Sequence, residues 1–285
     1  GLASSNVGTK VAAGLLNWLG IGQLPLAPIP GLDMHLDVTN VIGAMIIAIF
    51  VLGGCNATNL IDGLDGLLSG VVAIMSIGLL VLSMLMLSFI SPAQIELLVG
   101  SLSSPEEAFE HGITLAGARV VLCLALLGAV LGFLPHNFNP ATIFLGDCGS
   151  LLLGYCSVVI ILMLGEAGQT HLVLAGLIIF SIPIIDTVLA IVRRRIQGQR
   201  MWDPDARHMH HVFKRKLGSV KSAVLAIYAM GACFAGLGVV LGWLSLSGSI
   251  DRKWIYIVFL AVFGVVGFIG VRMGLTQRSN GAKAT

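Results

Sequence analysis

Leu67 to Ile90, LLSGVVAIMSIGLLVLSMLMLSFI, contains no ionisable side chain and no proline. As a helix rising about 1.5 Å per residue it is long enough to cross a hydrocarbon core of about 30 Å, which takes roughly 20 apolar residues. Working outward from it, further apolar runs lie at about Val38 to Gly54, Leu115 to Leu134, Ser150 to Leu164, His171 to Val192, Ser222 to Leu246 and Trp254 to Val271. The run from Ser150 is the shortest and borrows from its flanks. Lys10 to Ile21 also has helical apolar spacing, but Pro25, Pro28 and Pro30 in PLAPIPG stop it, so it reads as the end of an earlier span. The chain is 56% hydrophobic and only 11% charged, with a mean hydropathy of +0.97. A soluble domain carries about 25% charged residues, so a water-soluble globule and a disordered chain are both excluded. The expectation is an all-α, polytopic integral membrane helical bundle, a single domain over residues 1–285 with about seven full transmembrane helices and a partial N-terminal one.

A net charge of +2 gives no argument for nucleic acid as a partner; the lipid bilayer is the expected one. The distribution of charge says more than its sum. Eight of the 16 Lys and Arg fall between Arg193 and Lys216, and loops rich in Lys and Arg stay cytoplasmic. Alternating from that loop puts Cys55 to Gly66, Pro135 to Gly149 and the C-terminus on the same side. Ser91 to Thr114, with Glu96, Glu106, Glu107 and Glu110 and no Lys or Arg, falls outside; Arg252 and Lys253 are the exception to the rule. Five cysteines without CxxC or Cys/His metal spacing read as reduced thiols in the membrane. Isolated Arg119 is expected to snorkel toward a headgroup. Position 1 is Gly and no signal peptide is present, so the chain reads as the middle and end of a longer protein.

Three polar clusters fall on the cytoplasmic face. In NATNLIDGLDG, Asn56, Asn59, Asp62 and Asp65 recur every third residue and form a winding polar ridge on a helix. Two carboxylates with carboxamide oxygens suit a hard cation such as Mg2+, which takes one or two carboxylates, waters and substrate phosphates; helix capping at a membrane boundary is the competing reading. In NFNPATIFLGDCGS, Asp147 is flanked by glycines and precedes a span, a position for a carboxylate at a helix N-terminus with exposed N–H groups, or for a plain cap. In DPDARHMHHVFKRK, Arg207, His208, His210 and His211 stand among further cations. Zinc is one reading of the histidines; with no cysteine near, a grip on phosphate oxygens is the preferred one. Asp186 is set apart because it lies inside a span.

Together NATNLIDGLDGL, FNPATIFLGDCGSLLLG, PIIDTVLAIVRRR and DPDARHMHHVFKRKLG resemble the polyprenyl-phosphate N-acetylhexosamine-1-phosphate transferases, in the family's order, over most of Val38 to Gly218. The HMHH form after DPDAR is more similar to the branch that starts O-antigen, enterobacterial common antigen and teichoic acid linkage units, with GlcNAc-1-phosphate the expected group, than to the phospho-MurNAc-pentapeptide branch, which remains the alternative. The resemblance implies a bacterial inner-membrane, multi-pass enzyme with a cytoplasmic site. Its reaction moves a HexNAc-1-phosphate from a UDP-N-acetylhexosamine to undecaprenyl phosphate and releases UMP, with Mg2+ or in its place Mn2+, and a homodimer is compatible with it. Carried over by motif position, Asn59 and Asp147 would be metal ligands. Asp62 and Asp65 would line the nucleotide pocket or assist the metal, forming with Asp147 the catalytic carboxylates. Asn56, Arg207, His208, His210 and His211 would bind substrate, the last four through the diphosphate and sugar.

The family has further spans upstream and an acidic Asp-Asp motif there that handles the lipid phosphate; neither is in this sequence, and at Thr142 many members carry Lys or Arg. The chain is therefore expected to insert into membranes without completing transfer. A secondary transporter is the rival of another class, but transporters concentrate ionisable residues near the midplane, whereas here they gather at one face. The sharpest geometric expectation is that Asn59 and Asp147, far apart in sequence, meet.

Overall fold

The structure, a computed structural model, describes residues 38–89, 113–165, 169–198 and 209–282. Among them every regular element is a helix: α1 Val38–Ile61, α2 Leu67–Ser88, α3 Ile113–Asn137, α4 Gly146–Met163, α5 Thr170–Ile179, α6 Ser181–Gln197, α7 Met209–Leu217, α8 Val220–Leu246 and α9 Lys253–Ala282. Six are long and apolar enough to span a membrane, and α5 with α6 makes a seventh if that bent pair is one span. The protein is a polytopic membrane helical bundle. The expected partial helix over Lys10 to Ile21 and the acidic stretch after Ser91 lie outside the described residues.

α2 is apolar all round and sits at the centre, between α3 and α8. Leu67, Leu68, Val71, Val72, Leu79 and Leu82 are fully buried on it. The outer helices turn large apolar side chains outward, among them Ile49, Leu52, Val121, Leu260 and Phe268, as hydrocarbon requires.

The expected continuous span from His171 to Val192 is broken. α5 and α6 meet at 77° at Phe180. Pro183 has no N–H for the carbonyl of Ile179, and its ring crowds that carbonyl; at the third position of a new helix both costs disappear. α6 thus leaves the axis of α5 and packs against α9. Arg119 also departs from expectation. It is 1% exposed, and its Nη1 donates to the carbonyl of Met163 at 3.0 Å. The last carbonyls of α4 have no partner within their own helix, and a buried guanidinium satisfies one better than a headgroup could from outside.

α1 and α4 cross closely because two glycines permit it. A Cβ on Gly154 would lie 2.8 Å from Cys55 Cα and 3.0 Å from the Gly54 carbonyl, besides striking the Thr58 hydroxyl; one on Gly54 would strike Val158. Absence of a side chain at such a contact lets backbones approach as in other membrane helix pairs. The Thr58 hydroxyl lies 3.0 Å from the Ser150 carbonyl, a bond across the crossing. Gly154→Ala is expected to destabilise the bundle by about 1–3 kcal/mol, the usual cost of overpacking. Denaturation in mixed detergent micelles measures it, and an unchanged midpoint would show that the crossing has slack.

Candidate active site

The crossing of α1 and α4 carries its polar residues to one end of the bundle. α1 runs beyond the apolar stretch to Ile61, so Asn59 sits on its last turn. α4 begins at Gly146, where φ is +62°, so Asp147 lies in its first turn. The two meet as expected: Asn59 Nδ2 donates to Asp147 Oδ1 at 3.0 Å and lies 2.9 Å from Ser150 Oγ. With its nitrogen engaged, Asn59 keeps its carboxamide oxygen as a hard donor.

Between α1 and α2 the chain turns through Asp62, Gly63, Leu64 and Asp65 to Gly66, whose φ of +75° places it in the left-handed region at the N-cap of α2. That glycine is buried, so both of its backbone polar groups need partners. Its N–H donates to Asn137 Oδ1 at 3.2 Å, and its carbonyl accepts the first helix bond of α2, from the Gly70 N–H at 3.1 Å, and also one from the Tyr228 hydroxyl on α8. Asn137, only 4% exposed, also accepts from Ser69 Oγ at 2.7 Å and donates to the Ile143 carbonyl at 3.0 Å. The turn after α1 and the loop after α3 are thereby joined. Asp65 holds the same loop from the other side: its Oδ2 accepts from Asn139 Nδ2 at 2.8 Å and from the Ala141 N–H at 3.2 Å.

These elements enclose a cavity of about 320 Å³ lined by Asn59, Asp62, Asp65, Asn137, Phe144 and Asp147 together with backbone of the two loops. Three carboxylates and no Lys or Arg contribute to that lining. Burial, and secondly the charge of Asp147, raise the Asp62 pKa from 3.8 to about 6. Ionising Asp62 therefore costs stability fully above about pH 6, and the cost fades as pH falls toward the ordinary carboxylate range. Among the described residues no three His, Cys, Asp or Glu form a metal cage. An open set of two carboxylates and a carboxamide oxygen instead fits a hard cation that keeps waters and takes phosphate oxygens, as Mg2+ does.

Not every residue singled out in the sequence is here. Asn56 is exposed, turns its Nδ2 back to the Leu52 carbonyl at 2.7 Å and does not line the cavity. Although it lies three residues from Asn59, its amide is spent on its own helix. Arg207 and His208 lie outside the described residues, while His210 and His211 occupy the first turn of α7. The start of α7 is held by Asp186, which is 1% exposed and accepts from the Met209 N–H at 2.7 Å. Ser150, Asn137 and Tyr228 were not assigned a role from sequence. A tyrosine inside an apolar span was the available signal, since a buried phenol seeks a partner.

The glycosyl transferase family 4 profile matches residues 6–165, more than half of the sequence, including Asp62, Asp65 and Asp147. The chain belongs to glycosyl transferase family 4. It is 34% identical over 223 residues to a probable undecaprenyl-phosphate N-acetylglucosaminyl 1-phosphate transferase of Bacillus subtilis, covering 76% of this chain and 53% of that protein. A decaprenyl-phosphate N-acetylglucosaminephosphotransferase of Mycolicibacterium smegmatis is 32% identical over 243 residues, 78% of this chain and 52% of its own length. A phospho-N-acetylmuramoyl-pentapeptide-transferase of Bacillus anthracis is 31% identical over 238 residues, 83% and 63% of the two chains. The chain thus spans about half to two thirds of the length of these relatives.

Because burial is the larger cause of the Asp62 shift, Asp147→Asn is expected to lower that pKa from about 6 while leaving it above 3.8. Infrared titration of the protonated carboxyl band in purified protein reads it. A band that titrates unchanged in the variant would mean that the two carboxylates do not sense each other.

Proposed function

We propose that the protein transfers N-acetylhexosamine 1-phosphate, in the first instance GlcNAc-1-phosphate, from a UDP-sugar to undecaprenyl phosphate. An oxygen of the lipid phosphate attacks the β-phosphorus, the bond to the bridging oxygen breaks, and UMP leaves. The observation that carries this reading is the meeting of Asn59 and Asp147 at the rim of a cavity walled by Asp62 and Asp65, on a chain whose relatives bear transferase names.

Three carboxylates would repel a diphosphate on their own, so the site needs a cation to be useful to one. Asn59, Asp147 and Asp62 are the residues that would hold Mg2+, which when bound neutralises diphosphate charge and polarises the phosphoryl oxygens. The chain's own residues orient the reactants. Asp65 and Asn137 hold the two loops that wall the nucleotide side, and α7 brings His210 and His211, with Arg207 and His208 before it, as the cationic side for the diphosphate.

A lipid acceptor needs a place for its chain. An apolar cavity of about 700 Å³ lies among α6, α7, α8 and α9, lined by residues such as Leu189, Phe213, Phe234 and Val265, with Asp186 and Arg193 in its wall. This supports a prenyl chain entering beside α6, its phosphate left at the polar end. The exposed Arg195, Lys214, Arg215 and Lys216 at that end favour a cytoplasmic site in a bacterial inner membrane.

UDP-GlcNAc binding to the purified chain is expected to require Mg2+, to be lost with EDTA and to fall at least about tenfold in Asp147→Asn, by calorimetry. UMP release in membranes is expected from an N-terminally extended form, and only with both UDP-GlcNAc and undecaprenyl phosphate, but not from the chain alone. Binding indifferent to both metal and Asp147 would overturn the reading.

A further inference from the structure

We propose that Tyr228 is a positioning residue, whose hydroxyl bond to the Gly66 carbonyl fixes the aspartate turn relative to the helical hairpin bearing His210 and His211. The inference rests on the function proposed above and concerns how its two halves are kept in register. α7 and α8 are joined only by Gly218 and Ser219, and they pack on each other as a hairpin. Ser219 caps α8 through the Ser222 N–H at 3.0 Å, so the hairpin is well formed at its tip. Its hold on the carboxylate side comes from further up α8. There the Tyr228 ring lies against Gly70, where a Cβ would strike both ring and hydroxyl, and the hydroxyl reaches the carbonyl of Gly66.

Gly66 is the hinge residue between Asp62–Asp65 and α2. Its N–H is held by Asn137, at the end of the helix that leads to Asp147, and its carbonyl by Tyr228, on the helix that follows the histidines. One residue therefore ties the aspartate turn to the loop before Asp147 and to the helix that follows the histidines. Tyr228 lines neither the carboxylate cavity nor the apolar one. Its effect on substrate must pass through the placement of the turn against α7. A ligand that uses only the nucleotide side should not sense this link, whereas one that reaches from the turn to the histidines should.

Tyr228→Phe keeps the ring and removes only the hydroxyl. In the purified chain with Mg2+, the variant is expected to bind UDP-GlcNAc about tenfold more weakly, the size of a lost buried hydrogen bond, with uridine affinity unchanged. In a His211→Ala background the same substitution should have little further effect, because the contact it positions is already gone. Equal weakening of both ligands together with a lower melting point would reveal a purely structural tyrosine and overturn the proposal, as would full additivity with His211→Ala or no effect at all. Should Tyr228→Phe not fold, Gly70→Ala, which pushes the ring off its seat, is expected to give the same ratio and is judged by the same outcomes. Wild-type protein that binds neither ligand would instead overturn the transferase reading itself.

Discussion

Two helices can place a carboxamide against a carboxylate at a membrane boundary only if their backbones come close, and here the closeness depends on Gly54 and Gly154. Side chains at those positions would collide with Val158 and with the backbone at Cys55. The bonds of Asn59 to Asp147 and Ser150, and of Thr58 to the Ser150 carbonyl, all lie within two turns of that contact. In hydrocarbon there is no hydrophobic force drawing helices together, so close packing and these polar bonds are what set the crossing. The cavity behind them inherits its shape from the same contact, since Asp62 follows directly on α1 and the loop bearing Phe144 leads directly into α4.

Much of this was legible from residue types alone, for a physical reason. Lipid tolerates neither long polar stretches nor unpaired charges, so the spans and the isolated Asp62, Asp65 and Asp147 stand out against an apolar background. What was hidden depends on partners rather than on patterns. Pro183 in the fifth apolar run bends it by 77°, but a run-length criterion does not notice a single proline among apolar neighbours. From sequence, Arg119 is expected to snorkel toward a headgroup, because its acceptor, a helix-end carbonyl at Met163, exists only once α3 and α4 are packed. Asn56 has the same spacing as Asn59, Asp62 and Asp65; the helix ends at Ile61, so the three-residue rhythm stops describing a single face before it reaches the aspartates. Tyr228 carried only the weak signal of a phenol in an apolar span.

The electrostatic arrangement separates two tasks. The carboxylate cavity is acidic and polar, built by α1, the turn after it and the start of α4, whereas the exposed cations Lys214, Arg215 and Lys216 stand on α7. On the function proposed above, a bound cation would offset the carboxylates and the cations of α7 would meet an anionic ligand. The raised Asp62 pKa reflects its burial first and the charge of Asp147 second. An apolar bundle cannot move such charges inward cheaply, so the carboxylates stay at the helix ends.

The bend at Phe180 completes this division. A straight helix from Thr170 onward would run parallel to its neighbours and close the bundle; turned by 77°, α6 instead packs on α9 and leaves the apolar cavity between them and α7 and α8. Asp186 sits on the wall of that cavity and holds the first backbone N–H of α7, so the helix that brings the histidines starts where the apolar space ends. On the function proposed above, a lipid chain lying in that space would have its headgroup near the start of α7. One proline thus governs where the apolar cavity lies, and two glycines govern how closely the helices bearing Asn59 and Asp147 cross.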